Sequence, residues 1–207
     1  LVLTGQGEKF FSAGADLKTF ADGDKARANE MAQLFGEAFA TLGRFRGVSI
    51  AAVNGYAMGG GLECAMACDI RIASANLKFG FPIARTLGNC LAAANLARLS
   101  ALMGAGRVRE MIFTARLIEA EEALTCGLIS EVLPDEEALM VRAADLADTL
   151  AQMAPLTLRA TKEAMRRVSA ATRIDDSDLI EMCYMSRDFR HGLEAFLAKE
   201  KPEWSGT

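Results

Sequence analysis

One acidic residue, Glu63, follows a run of three glycines, Gly59-Gly60-Gly61, and falls in what reads as the first turn of a helix from Leu62 to Ala67. Glycine lets the backbone adopt any φ and brings its amides close to a ligand, because no Cβ intervenes. The free N–H groups at a helix start favour negative charge. A phosphate suits that place poorly, since Glu63 would repel it. An enolate suits it well, because a base must stand beside a carbonyl that gains charge only as the proton leaves. A second turn of small residues, Phe11-Ser12-Ala13-Gly14-Ala15-Asp16-Leu17, supplies a candidate second donor in the amide of Ala13. The plainer reading is a softened strand-to-helix turn with Glu63 as a cap.

Both turns need strands to hold them. Leu1 to Thr4 is the first apolar run, and Val48 to Val53 is the next, ending at the turn dipeptide Asn54-Gly55. Between them, Asp22 to Arg46 carries Met31, Leu34, Phe35, Ala38, Phe39, Leu42 and Phe45 at helical spacing, so one face is expected to pack on a sheet. Ile70 to Ala73 and Leu77 to Phe81 read as short strands around Asn76. Helices follow at Asn89 to Met103, Gly104 to Phe113 and Glu119 to Cys126, then a strand at Leu128 to Leu133. Beyond it the pattern is wholly helical: Asp135 to Met153, Pro155 to Ser169 and Asp175 to Arg190. Strands alternating with helices predict an α/β fold with parallel pairing, in which ligands gather at the carboxyl ends of strands. The expected division is a core over 1–133 and a helical region over 134–207.

The 207 residues suffice for a sizeable core, and 51% hydrophobic with 24% charged residues is an ordinary globular balance. A net charge of -4 carries no footprint for nucleic acid, and no stretch has the apolar length of a membrane span. Cys64, Cys68, Cys90, Cys126 and Cys183 show neither disulfide nor metal spacing, which points to small buried side chains in a reducing compartment. The single histidine, His191, has no relay partner in view, so a Clp-type serine protease is disfavoured.

The stretches FSAGADL and NGYAMGGGLECAMACDI, followed by RIAS, TARLIEAEEALTCGLISEVLP and AFLAKEKPEW, resemble the crotonase superfamily of enoyl-CoA hydratases and isomerases nearly end to end. The resemblance implies a ClpP/crotonase spiral of ββα units with a C-terminal helical region that assembles trimers or hexamers. It implies an acyl-CoA thioester as substrate, no separate cofactor, no metal, and a cytoplasmic setting. By motif, Glu63 is the acid/base, and the amides of Ala13 and Gly60 hold the thioester oxygen. Gly14, Ala15, Asp16, Leu17 and Gly59 complete the binding loops, and Tyr184 falls where the family places an aromatic near a neighbouring subunit's CoA.

One departure stands out. Hydratases of this kind carry a second Glu just after a Pro, at the point matching Pro82-Ile83, and here the residue is Ile83. No Asp or Glu occurs from Ile70 to Arg109, so efficient hydration is not expected. Arg85, Thr86, Asn89 and Asn95 lie in this segment and offer contacts to a second carboxylate or carbonyl, as decarboxylation of a malonyl-type thioester requires. Asn89 has the competing role of helix N-cap. Isomerisation, decarboxylation, thioester hydrolysis and a non-catalytic acyl-CoA-binding scaffold are the alternatives. The opening Leu1 falls mid-strand, without the strands and helix that crotonase-like chains carry ahead of it, so a late start is expected, with upstream residues and signals unseen.

Overall fold

The computed structural model describes residues 1–17, 34, 36–170 and 175–207. The first half of the helix expected from Asp22 onward lies outside the described residues. Its described part, α1, runs over residues 36–43. Strands come in pairs ahead of helices: β1 (Val2–Thr4) and β2 (Phe10–Ser12) precede α1. Next come β3 (Ile50–Val53) and β4 (Tyr56–Met58) ahead of α2 (Gly60–Ala67), then β5 (Ile70–Ser74) and β6 (Lys78–Gly80) ahead of α3 (Ile83–Thr86). After α4 (Ala93–Met103) and α5 (Ala105–Phe113) come β7 (Ile118–Glu119), α6 (Ala120–Thr125) and β8 (Glu131–Leu133). The helices α7 (Glu136–Ala151), α8 (Pro155–Ala170), α9 (Ser177–Tyr184) and α10 (Arg187–Ala198) complete the chain.

The members of each pair go to different sheets. One sheet has the order β1-β3-β5-β8, parallel throughout; the other has the order β2-β4-β6-β7, with only β7 antiparallel. In the central strand β3 all four residues are buried, as both faces of a parallel sheet must be when helices cover them. Ala51, Val53 and Ala73 join the main core with Leu62 and Met66 of α2. Ile50, Ala52 and Ile72 point the other way, against Leu139 and Ala143 of α7. Side-chain alternation along two strands thus fixes which helix lies on which face.

Two departures from the sequence reading concern local structure. Phe11 and Ser12 read as the start of a turn and residues 56–58 read as part of no element, yet residues 10–12 and 56–58 form β2 and β4. Three-residue strands are too short to show period-two alternation, and their partner strands supply the missing order. The helix expected over Asp175 to Arg190 is two helices. The chain breaks after Tyr184, and Ser186 caps α10 by accepting a hydrogen bond from Phe189 N at 2.9 Å.

Asn54, the first residue of the turn dipeptide, is buried: its Oδ1 accepts from Gly5 N at 3.0 Å and its Nδ2 donates to Gly5 O at 3.1 Å. It therefore ties the end of β3 to the end of β1. Asp69 does similar work for α8. It accepts from Ser49 N and Oγ at 2.8 and 2.9 Å and pairs with Lys162 Nζ at 2.6 Å.

Candidate active site

Because β2 and β4 run parallel, with Phe10 opposite Tyr56 and, after a one-residue shift of register, Ser12 opposite Ala57, the loops that leave them emerge side by side. The approach is close enough to exclude side chains. A Cβ on Gly14, at φ +93°, would lie 2.8 Å from Met58 O and 3.1 Å from Gly60 N. One on Gly61 would lie 2.3 Å from Ser12 O. Gly59 carries φ +52° and accepts from both Leu62 N (3.0 Å) and Glu63 N (3.1 Å), which opens α2. Among the described residues, no protein acceptor engages the amides of Ala13 or Gly60, whereas Gly14 N is occupied by Ser12 Oγ at 3.3 Å. Ala15 follows directly across from Gly60, and Asp16 is exposed while Leu17 is half-buried.

Glu63 is half-buried in the first turn of α2, and no side chain caps that helix. Its Oε1 accepts a hydrogen bond from Asn95 Nδ2 at 2.8 Å, an interaction between α2 and the first turn of α4. Burial pushes the Glu63 carboxyl above the usual carboxylate range, while the positive charge of Arg98 and the Asn95 hydrogen bond pull part of the way back. The result is a carboxylate readier to accept and hold a proton than one in water.

Asn89 does not cap a helix. It lies in the loop before α4, whose start at Ala93 is capped from a distance by the Asp176 carboxylate accepting from Ala93 N. Asn89 Nδ2 instead donates to Tyr184 Oη at 3.0 Å. Burial pushes the Tyr184 phenol upward, the hydrogen bond from Asn89 offsets part of this, and the charge of Glu63 adds to the rise. The loop is pinned behind Asn89: Gly88 takes φ +69°, and a Cβ there would stand 3.0 Å from the Trp204 ring.

Ile83 opens α3 and is buried in the main apolar core, so the point matched to a second carboxylate is filled by hydrocarbon. Arg85 is exposed. The structure therefore joins Glu63 of α2 to Asn95 of α4, and Asn89 of the loop before α4 to Tyr184 of α9. Spacing offered no signal that Asn95 would hold Glu63, because that contact arises only when α4 folds back over α2. A shallow pocket of about 350 Å³ lies elsewhere, between Arg187, Asp188 and His191 of α10 and Glu203, Trp204 and Ser205 of the tail. Among the described residues, no three His, Cys, Asp or Glu side chains gather as a metal site would need, and no helix is long and apolar enough to cross a membrane.

Residues 1–207 match the family model described as "Enoyl-CoA hydratase/isomerase". The short-chain-enoyl-CoA hydratase of Clostridium acetobutylicum is 37% identical over 208 residues, covering 98% of this chain and 78% of that protein. Among solved structures, Pseudomonas aeruginosa DspI superposes with a TM-score of 0.74 at 45% identity, covering 99% of this chain and 79% of that one. Methylmalonyl-CoA decarboxylase, solved with 2-nitronate-propionyl-CoA, superposes with a TM-score of 0.87 at 27% identity, covering 98% and 79%.

Proposed function

This chain belongs to the enoyl-CoA hydratase/isomerase family, and from that premise we propose that it moves a proton on the acyl group of a coenzyme A thioester, with Glu63 as acid/base. The observation that carries this reading is a half-buried carboxylate, gripped through one oxygen by a neutral amide, beside two loops with uncommitted backbone amides. Removing a proton next to a thioester carbonyl throws negative charge onto the carbonyl oxygen. The amides of Ala13 and Gly60 would receive it, each such donor contributing about 3 to 4 kcal/mol in the transition state. Glu63 then returns the proton. Residues 13–17, with Gly59, would line the CoA and thioester path through backbone groups, and no separate cofactor is required.

With hydrocarbon at Ile83, one carboxylate serves alone. That favours reactions in which a single group takes and returns one proton, such as isomerisation, over rapid water addition, which gains from a second acid/base group. The likeness to methylmalonyl-CoA decarboxylase favours a second reading, loss of CO₂ followed by reprotonation of the same enolate. The deciding experiment compares native protein with Glu63→Gln for α-proton exchange of butyryl-CoA, hydration of crotonyl-CoA and decarboxylation of methylmalonyl-CoA. Equal activity of the two proteins in all three would overturn the role of Glu63; fast native hydration would overturn the expected preference.

Self-association in trimers or hexamers belongs to the same proposal. It is supported by the apolar residues that α8 and α9 leave exposed, Leu156, Met165, Val168, Leu179 and Met182. Five unpaired cysteines support a reducing, cytoplasmic setting.

A further inference from the structure

Cys90 and Cys183 meet where the loop before α4 lies against α9. Two contacts fix the approach: Asn89 Nδ2 donates to Tyr184 Oη at 3.0 Å, and Cys90 Sγ donates to Leu179 O at 3.6 Å. In an α-helix the carbonyl of residue 179 faces the N–H of residue 183, and the Cβ of residue 183 leans back toward that same turn. The contact with Leu179 therefore sets Cys90 Sγ at the foot of the Cys183 side chain. The two thiols share a hydrogen bond. Cys68 and Cys126 behave differently, each turning its thiol back onto a nearby carbonyl of its own chain segment, Cys64 O and Ala123 O. Sulfurs in a hydrogen-bonded pair reach bonding distance when each moves by on the order of 1 Å. Cys90 and Cys183 are both half-buried, so a small oxidant has access to them.

We propose that Cys90 and Cys183 form a reversible disulfide, made by a low-molecular-weight disulfide such as oxidised glutathione, and that this bond latches α9 to the loop before α4. The Cys183 thiolate attacks one sulfur of the oxidant, giving a mixed disulfide and a small thiolate that recovers from solvent the proton Cys183 gave up. The Cys90 sulfur then displaces the second small thiol, its proton passes to that leaving sulfur, and the protein S–S bond closes. Two protein S–H bonds and the oxidant's S–S bond are lost; one protein S–S bond and two small-thiol S–H bonds form, so two electrons pass from the protein to the oxidant. Burial first, then its hydrogen bond to Cys183, push the Cys90 thiol up to about 12, so Cys90 closes the bond and does not open the reaction. In a reducing setting the pair rests as thiols and closes under oxidative load. The latch does not depend on the role of Glu63.

The test incubates the full-length chain with oxidised glutathione and maps its peptides by mass spectrometry without reductant. The expected result is a link within one chain between the peptides holding Cys90 and Cys183. It should come with a melting temperature higher by about 10 °C. Amide exchange over residues 177–184 should slow by about tenfold, and dithiothreitol should reverse all three changes. Cys64→Ser should keep them, and Cys183→Ser should abolish them. Glutathione left on either cysteine in place of the link, a link between two chains, or a link that leaves melting and exchange unmoved overturns the proposal. Mapping needs only the unsubstituted chain, so it decides even where a variant fails to fold.

Discussion

The two halves of the candidate site are built in opposite ways. The loops at 12–15 and 59–61 owe their geometry to backbone: parallel strands set their spacing, and glycines permit an approach that any Cβ would block. The polar contacts of Glu63 and of Asn89 owe their geometry to side chains brought from far along the chain, Asn95 from 32 residues away and Tyr184 from 95 residues beyond Asn89. Backbone geometry is all-or-none, whereas a side-chain contact is graded. Substitutions in the first half should therefore destroy, and those in the second half should tune, with Glu63 itself as the exception that links them.

Glu63→Gln should produce the largest effect, a fall of about 10² to 10⁴ in kcat for the proton-transfer reaction. Its stability should move the other way. The folded-state pKa of Glu63 is raised, so its contribution to stability is fully present below the unfolded value near 4.5 and is lost as pH rises through the folded value. Thermal melts should accordingly show Glu63→Gln gaining on the native chain at neutral pH and converging with it near pH 4.

Gly14→Ala comes next, with an expected loss of about 10² to 10³ in kcat, because the added methyl presses on Met58 O and displaces Gly60 N. A nearly native rate would show that the loops are slack, and the contrast between the halves would fail.

Asn95→Leu should cost about tenfold in kcat/KM at neutral pH. More diagnostically, it should move the ascending limb of the pH–rate profile upward, since the hydrogen bond favours the ionised carboxylate that acts as base. An unmoved limb with a lower plateau would make Asn95 a packing residue only. The smallest effect belongs outside the site: Lys162→Met should lower the unfolding free energy by about 1 to 2 kcal/mol with kcat unchanged, as read by urea denaturation, because it leaves Asp69 with its two Ser49 bonds.

The same contrast explains what could be read from sequence. The crotonase-type α/β fold is borne out by the likeness to solved structures, at a TM-score of up to 0.87. It was visible because Ile50 to Val53 is apolar enough to be a buried strand and the three glycines punctuate it from α2. The strands β2 and β4 were not visible, since three residues such as Tyr56–Met58 carry no period of their own. Asn89 illustrates the limit most clearly. An Asn ahead of an apolar helical run is a sound cap by local rules, yet α4 starts four residues later because Asp176, from the other end of the chain, does the capping. Nor does any local pattern pair Asn95 with Glu63.

Helix α9 deserves a last consequence. It grips the loop before α4 at two points, Tyr184 on Asn89 and, just ahead of the helix, Asp176 on Ala93, yet none of its own residues is more than half-buried in this chain. A clamp that leaves Leu179 and Met182 exposed needs backing from outside if it is to keep its hold. Progressive dilution should then silence turnover while the far-ultraviolet circular dichroism of the sheets stays whole.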